Sequence, residues 1–212
     1  MRQKIDLLQG WQFTGLDGHT MSVSIPHTWN NIDGQDGGND YWRGTAYYAK
    51  SIAKADLPAS DRYYLEIQGA NSSADLYVNG KKLAHHDGGY STWRVNVTEA
   101  LAEENDIALI VENTVNETVY PQMADFTFYG GIYRDVNLIT VNKEHFDLDY
   151  FGTPGLRVTP EIKGKDAEIE IDAYITNKKV GQMLRYTILD AEGNYANLNY
   201  EIETVAGKLT VS

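Results

Sequence analysis

Ala74-Asp-Leu-Tyr-Val-Asn-Gly80 is the stretch that decides the fold class of this chain. Its apolar residues recur at every second position, which predicts a half-buried β-strand. Asn79-Gly80 is the strongest short signal for a tight hairpin turn, because both residues tolerate the positive φ angles that such a turn requires. The pattern predicts a β-hairpin whose return strand begins at Leu83.

The same period of two recurs along the chain, while a helical period is almost absent. It predicts further strands at Tyr63–Ile67, Trp93–Val97, Ile107–Val111, Ile132–Val141, Ile169–Ile175, Leu184–Ile188 and Tyr200–Ile202. One short helix is predicted over Glu99–Ala102, with Thr98 as its N-terminal cap. Short strands at this spacing are typical of a β-sandwich, so the fold class is predicted to be all-β.

A change in composition divides the chain near Val141 to Gly155. The segment before it is rich in tryptophan and glycine loops, whereas no tryptophan follows it. We therefore predict two domains, at residues 1–143 and 144–212. The second is shorter than the roughly 100 residues of a seven-stranded immunoglobulin-like sandwich. It is either a small variant or part of a domain that continues beyond Ser212, and we expect the latter.

Charge and composition exclude several classes of partner. The chain has 18 basic and 30 acidic residues, a net charge of −12, which argues against nucleic acid and anionic membranes. No run of about 18 apolar residues could span a membrane, and no apolar stretch follows the basic start as in a signal peptide. We expect a cytoplasmic or periplasmic protein. Zero cysteines exclude disulfides, thiolate catalysis and cysteine-based zinc sites.

Four segments of the first domain place aromatic rings beside turn-forming or polar residues. They are Pro26–Asn30, Gly37–Gly44, His85–Tyr90 and Asp125–Arg134. The last is the richest, with one carboxylate and three rings before Gly130-Gly131. Flat rings cover the apolar face of a sugar, and carboxylates or guanidinium groups bind its hydroxyls in pairs. The segment is therefore either a sugar-contacting loop or an aromatic-rich hairpin in an all-β core.

The order of the motifs resembles the N-terminal region of glycoside hydrolase family 2, which contains β-galactosidases, β-glucuronidases and β-mannosidases. The matching motifs are Leu8–Phe13, Ile25–Trp29, Tyr41–Tyr48, Ala74–Gly80, His86–Tyr90 and Asp125–Val136. The resemblance implies a jelly-roll sugar-binding sandwich over residues 1–143 and part of an immunoglobulin-like sandwich over 144–212. The sequences of the loop Gly37–Asp40 and of the motif Asp125–Val136 most resemble those of β-galactosidases.

The resemblance also implies a substrate-binding set, composed of Asp125, Asn39, Asp40, Trp42 and Tyr129. Asp125 matches the family position whose carboxylate approaches the substrate hydroxyls and a nearby monovalent cation. Asn39 and Asp40 would add polar contacts from the opposite loop, and Trp42, Tyr90 and Tyr129 are candidate stacking rings. Each residue has a structural alternative, since a carboxylate can cap its own loop and a ring can pack under a glycine turn.

The family's catalytic acid/base and nucleophile glutamates lie on a third domain, a TIM barrel, which would begin after Ser212. Retaining glycosidases need two carboxyl groups about 5–5.5 Å apart, and the one Asn-Glu pair here, Asn116-Glu117, is interpreted as surface. This chain is therefore expected to hold no catalytic residue, metal or cofactor and to be inactive alone. The full enzyme is expected to use a monovalent cation and magnesium.

The histidines are expected to be structural. His85-His86-Asp87 resembles a cluster of metal ligands, but adjacent strand residues point to opposite faces and cannot share one ion. His27 is predicted to be a hydrogen-bonded structural residue.

Three functions remain open from the sequence. The first is the non-catalytic N-terminal part of a β-galactosidase-like hydrolase, which packs on its own catalytic barrel, reaches loops toward a β-galactoside and forms homo-oligomers in the full-length protein. The second is a free-standing carbohydrate-binding module. The third is a structural or oligomerisation sandwich.

Overall fold

The computed structural model describes residues 2–31, 33, 41–120, 127–164, 166–181, 184–189, 191–194, 200–202 and 208–211. The chain divides into two compact units, Met1–Asn142 and Lys143–Ser212. Nearly all regular structure is β-strand, and the described helices are single 3-10 turns at Lys54–Asp56 and Thr98–Ala100. None of the helices among the described residues is long and apolar enough to cross a membrane.

The first unit is a sandwich of two antiparallel sheets. Its strands are β1 (Gln3–Asp6), β2 (Trp11–Thr14), β3 (Thr20–Val23), β4 (Thr45–Ala53), β5 (Arg62–Ile67), β6 (Ser73–Val78), β7 (Lys81–Asp87), β8 (Trp93–Asn96), β9 (Glu104–Glu112) and β10 (Val136–Val141). One sheet has the order β3-β2-β4-β9-β6-β7, and the other has the order β1-β10-β5-β8.

The core lies between these two sheets. Tyr48 and Leu76 of the six-stranded sheet are fully buried in one cluster with Leu65 and Leu138 of the four-stranded sheet. Along β9 the buried and exposed side chains alternate, as a strand with one face on the core requires. The all-β sandwich predicted from the period of two is therefore confirmed.

The Asn79-Gly80 hairpin is also confirmed. Both residues have positive φ angles, 51° and 77°, as a two-residue turn that matches the strand twist demands. The return strand β7 begins at Lys81 rather than at the predicted Leu83, because so tight a turn restores pairing at once, with Val78 opposite Lys81.

Three local predictions are wrong. Strand β10 begins at Val136 rather than Ile132, because hydrogen bonds made by Tyr133 and Arg134 tie this segment to the β7–β8 connection. The predicted helix over 99–102 is a 3-10 turn at Thr98–Ala100 with no side-chain cap. The hydroxyl of Thr98 instead accepts a hydrogen bond from the backbone amide of Tyr63 at 2.9 Å.

The strand β5 departs from the expectation of one wet face. The period of two predicts that Tyr64 and Glu66 face water, opposite the apolar positions of Tyr63–Ile67, but they are only 3% and 5% exposed. The Glu66 carboxylate is compensated by Arg94 on the neighbouring strand, whose Nε donates to it at 2.7 Å. The outer face of the four-stranded sheet is thus partly buried and carries an ion pair.

The second unit is also built of antiparallel strands. They are β11 (His145–Phe146), β12 (Leu156–Lys163), β13 (Asp166–Ala173), β14 (Ile175–Thr176), β15 (Tyr200–Ile202) and β16 (Lys208–Val211). One sheet has the order β12-β13-β16-β15, and β11 pairs with β14. The strand predicted at Leu184–Ile188 is wrong, since these residues form no strand, although Tyr186 and Ile188 still pack on the buried Ile171.

Candidate functional site

The candidate site lies at one end of the first unit, where several sequence motifs meet. Strand β4 begins at Thr45 and β9 ends at Glu112, and these two residues pair across the sheet. Because the strands are antiparallel, the segment before β4 and the segment after β9 emerge at the same end. The first follows residues 34–40 and contains Trp42, and the second begins with Asn113 and runs toward residues 121–126.

A buried amide network joins these segments. Asn30 is fully buried, and its Nδ2 donates to a carboxylate oxygen of Asp33 and, at 2.8 Å, to the carbonyl of Trp42. Its Oδ1 accepts from the backbone amide of Gly130 at 2.7 Å and from Asn113 Nδ2 at 3.2 Å. We call Asn30, Asp33, Trp42, Asn113 and Gly130 the Asn30 network. It satisfies buried polar groups from four separate segments of chain.

Asn113 and Asp33 reinforce the same junction. Asn113 Oδ1 accepts from the backbone amide of Gly44 at 2.8 Å, and its Nδ2 also donates to the carbonyl of Trp42 at 3.1 Å. The Asp33 carboxylate accepts from the backbone amide of Trp42 at 2.8 Å. The described residues that flank 34–40 are therefore fixed on both sides.

Gly130 and Gly131 let their segment of the chain approach the core closely. A Cβ at Gly130 would lie 2.5 Å from the Trp29 ring. Gly131 has φ of 118°, and its Cβ would lie 2.7 Å from both the His27 carbonyl and the Tyr48 hydroxyl. Its backbone amide and carbonyl both bond to the backbone of Asn71, at 3.2 and 3.0 Å. The Gly-Gly pair is therefore a packing requirement of this junction.

His27 is a structural residue, as predicted. Its Nδ1 lies 2.8 Å from the Tyr48 hydroxyl, and its ring packs 4.6 Å from that of Phe13. Burial lowers the pKa of His27, so the neutral ring is favoured at this position.

The predicted substrate-binding residues divide into two groups. Asp125, Asn39 and Asp40 lie outside the described residues, so their roles stay predictions. The half-buried Trp42 ring packs against Trp29, with centroids 6.1 Å apart. Tyr129 is 41% exposed, and its carbonyl accepts from Asn71 Nδ2 at 3.1 Å. Trp42 therefore has a packing role, and Tyr129 is partly exposed; the stacking role of both rings stays a prediction.

His85 and His86 point to opposite faces of β7, as predicted. His85 lies between two carboxylates, with Nδ1 2.6 Å from Asp75 and Nε2 3.2 Å from Asp87. His86 instead stacks on Trp93, with centroids 5.0 Å apart and planes at 10°. Within the described part of the chain, no group of three or more His, Cys, Asp or Glu residues could hold a metal ion.

Asp87 anchors the segment after β9. Its carboxylate accepts from Ser73 at 2.6 Å, from Asn116 at 3.0 Å and from Thr118 at 2.9 Å. The bond from Ser73, followed by those from Thr118 and His85, lowers the pKa of Asp87 despite some burial. The chain that leads to residues 121–126 is therefore held against β6 and β7.

Sequence reasoning missed the residues that hold the site together. Asn30 stands at the end of the quoted Pro26–Asn30 motif, but nothing in the motif distinguishes it from an exposed turn residue. Asn113 and Asp33 carry no local signal at all. Asn30 and Gly130 are 100 residues apart, and Asn113 and Asn30 are 83 apart, so the network forms only in the folded chain.

Comparison with known proteins adds a family-level match. Residues 35–147 match the model described as glycosyl hydrolase 2 galactose-binding domain-like. The crystal structure of an FMN-binding β-glucuronidase from Faecalibacterium prausnitzii L2-6 is 35% identical, with a TM-score of 0.88 over all of this chain and 33% of that one. A putative β-galactosidase from Bacteroides fragilis is 29% identical, with a TM-score of 0.81 over all of this chain and 35% of that one.

A third relative is a putative β-glucuronidase from Formosa agariphila. It is 33% identical over 181 residues, which cover 84% of this chain and 21% of that protein. The chain thus spans between a fifth and about a third of the length of these relatives.

Proposed function

The chain belongs to the glycosyl hydrolase 2 family, and from this premise we propose that it forms the non-catalytic, sugar-binding N-terminal part of a retaining β-glycosidase. In this proposal the catalytic glutamates belong to a barrel in the rest of the full protein. The first unit packs on that barrel and extends its loops to the sugar subsite. The full protein is a homo-oligomer and uses a monovalent cation and magnesium.

The Asn30 network is the observation that carries this proposal. It fixes Asp33 before residues 34–40 and Trp42 and Gly44 after them, and it fixes Gly130, four residues beyond the segment 121–126. Those two loops contain Asn39, Asp40 and Asp125. A binding loop contributes most when its ends rest on a rigid scaffold, because less ordering is required on binding. The Asn30 network supplies such a scaffold for the ends of both loops.

The substrate is a finer question. The sequences of the loop Gly37–Asp40 and of Asp125–Val136 favour a β-galactoside as the substrate. Two of the three relatives above are β-glucuronidases, at 35% and 33% identity, whereas the putative β-galactosidase is 29% identical. We therefore propose a β-glucuronide first and a β-galactoside second.

The decisive experiment uses the full-length protein. We expect it to hydrolyse p-nitrophenyl β-D-glucuronide or p-nitrophenyl β-D-galactoside, and Asp125→Ala to lower kcat/KM at least about tenfold, equivalent to 1.4 kcal/mol. Asp56→Ala is the matched control, because Asp56 is exposed in the 3-10 turn after β4, at the opposite end of the sandwich. Failure to hydrolyse either glycoside would overturn the proposed activity. Equal kcat/KM for the wild type and Asp125→Ala would remove that loop from the sugar subsite.

A free-standing carbohydrate-binding module is the second candidate function. Exposed rings favour it, since Tyr90 and Tyr129 are 45% and 41% exposed at the site end. Calorimetry of the 212-residue chain with lactose separates the two. Millimolar binding without any hydrolysis by the full-length protein would favour the module.

A further inference from the structure

The connection between β7 and β8 carries an exposed aromatic ring on a rigid base. The Tyr133 hydroxyl donates to the carbonyl of Gly89, and Arg134 Nη1 donates to the carbonyl of Tyr90 at 3.0 Å. A Cβ on Gly89 would lie 2.3 Å from Asn71 Oδ1, so the connection is pressed against the chain below it. The backbone at Tyr90 is thus held by two hydrogen bonds, although the residue is 45% exposed.

Arg134 is exposed and yet ordered by its contacts. Its guanidinium carbon lies 5.4 Å from the centroid of the Tyr133 ring. Both side chains rest on Gly69, where a Cβ would lie 3.0 Å from Arg134 Cδ and 3.2 Å from Tyr133 Cζ. A guanidinium fixed in this way loses little side-chain entropy when it binds a ligand, which is an advantage over a mobile surface lysine.

The two tyrosine rings pack edge to face beside this cation. The centroids of Tyr90 and Tyr133 are 6.4 Å apart, with planes at 68°. Burial raises the pKa of both phenols, and the positive charge of Arg134 offsets only part of that effect. Both phenols therefore stay protonated at neutral pH, and that of Tyr90 can donate to a ligand.

We propose that Tyr90, Tyr133 and Arg134, the Tyr–Arg platform, bind a sugar ring that bears a carboxylate. The choice of a sugar rests on the proposed function, whereas the preference for a carboxylate rests on Arg134. The bond to Tyr90 uses one of its five N–H donors, and no carboxylate among the described residues forms a salt bridge with it. A guanidinium binds a planar carboxylate through two parallel hydrogen bonds, and the exposed face of Tyr90 covers the apolar side of a pyranose.

The inference is tested on the 212-residue chain by NMR titration with two probes. Methyl β-D-glucuronide and methyl β-D-glucoside share one ring and differ only in whether C6 is a carboxylate. We expect the glucuronide to bind in the millimolar range, at least about tenfold more tightly than the glucoside, with the shifts centred on residues 88–91 and 133–134. Because the site is exposed, raising the salt concentration should weaken the binding of the charged glucuronide and leave the binding of the glucoside unchanged.

Matched variants identify the group responsible. Arg134→Gln should remove the preference for the glucuronide, and Arg134→Lys should keep part of it, because lysine retains the charge without the planar fork. Arg62→Gln is the control, since Arg62 also donates to a backbone carbonyl, that of Asp61 at 3.1 Å, but lies at the other end of β5. The dispersion of the amide signals shows whether each variant is folded. If Arg134→Gln does not fold, Arg134→Lys supplies the test.

Equal affinity for the two probes, absence of binding at about 50 mM, or an unchanged preference in the folded Arg134 variants would overturn the platform. None of these results would affect hydrolysis by the full-length protein, so the proposed function would stand. Conversely, a full-length protein that hydrolyses neither chromogenic glycoside would overturn the proposed function. The relative affinity of this chain for the glucuronide and the glucoside would still show whether the Tyr–Arg platform prefers a carboxylate.

Discussion

Asn30 Oδ1 accepts a hydrogen bond from the backbone amide of Gly130, 100 residues later in the chain, at 2.7 Å. The bond is buried and joins the segment after β3 to the segment before β10. Because Asn30 also donates to the carbonyl of Trp42, a single amide side chain determines how three loops meet. The candidate site therefore depends on a residue that need not contact any ligand.

Asn30→Ala should lower the free energy of unfolding of the first unit by about 3 kcal/mol, since it leaves several buried polar groups without partners. All four tryptophans, Trp11, Trp29, Trp42 and Trp93, lie in that unit. Their fluorescence during urea unfolding therefore measures it separately from the second unit. Asn31→Ala is the control, because the neighbouring Asn31 is exposed. A loss no greater than in the control would show that the network contributes little.

Gly131→Ala should be more damaging than the same change at another glycine with positive φ. Gly80 has φ of 77° and open space around its Cβ position, so Gly80→Ala measures backbone strain alone, about 1–2 kcal/mol. At Gly131 the strain at φ of 118° is joined by contacts of 2.7 Å to the His27 carbonyl and Tyr48 hydroxyl. We expect a loss above about 4 kcal/mol or failure to fold. Equal unfolding midpoints for the two variants would contradict the close approach.

These two glycines also show which parts of the fold can be read from the sequence. Gly80 follows Asn79 between two alternating segments, so a local rule is enough to predict its turn. The alternation along β9 is equally local. Gly131 stands in a motif that does indicate a turn, but its real requirement is set by His27 and Tyr48, which approach it only after the sheets have formed.

The errors have the same origin. The apolar alternation from Ile132 suggests a strand, yet Tyr133 and Arg134 find better partners in the carbonyls of Gly89 and Tyr90. The position of Glu66 suggests a wet face, yet Arg94 on the adjacent strand permits its burial. In each case a partner distant in sequence outweighs the local preference, and a single sequence does not reveal that partner.

The Glu66–Arg94 pair should show strong coupling between its two members. Their side chains are only 6% and 7% exposed, so Arg94→Met leaves a buried carboxylate uncompensated and should cost about 3 kcal/mol. The double variant Glu66→Leu with Arg94→Met should cost clearly less than the sum of the single changes, as measured by tryptophan fluorescence in urea. Additive losses would contradict the coupling. Lys82→Met, which removes the exposed ion pair with Asp75, is the control and should change little.

The same pair should make the first unit sensitive to acid. Burial raises the pKa of Glu66, but the hydrogen bond and charge of Arg94 outweigh it and leave the pKa below its ordinary value. A depressed carboxylate pKa contributes stability above the unfolded pKa, near 4.3, and this contribution is lost as the pH falls through the folded pKa. The acid-induced loss should therefore be smaller in Glu66→Leu than in the wild type.

His85 and His86 should titrate in opposite directions although they are adjacent. The hydrogen bond with Asp75 is the main cause that raises the pKa of His85, with Asp87 on its other nitrogen, whereas burial against Trp93 lowers the pKa of His86. A raised histidine pKa contributes stability below the unfolded pKa, near 6.5, which is lost as the pH rises through the folded pKa. For His86 the sign is reversed, and the folded state loses stability as the pH falls below the pKa of the unfolded chain.

Proton NMR of the two rings measures both pKa values. Asp75→Asn should lower that of His85 toward its ordinary value and leave that of His86 nearly unchanged, because Asp75 bonds to His85 whereas the His86 ring lies on the opposite face of β7. Similar pKa values for the two rings in the wild type would contradict this arrangement.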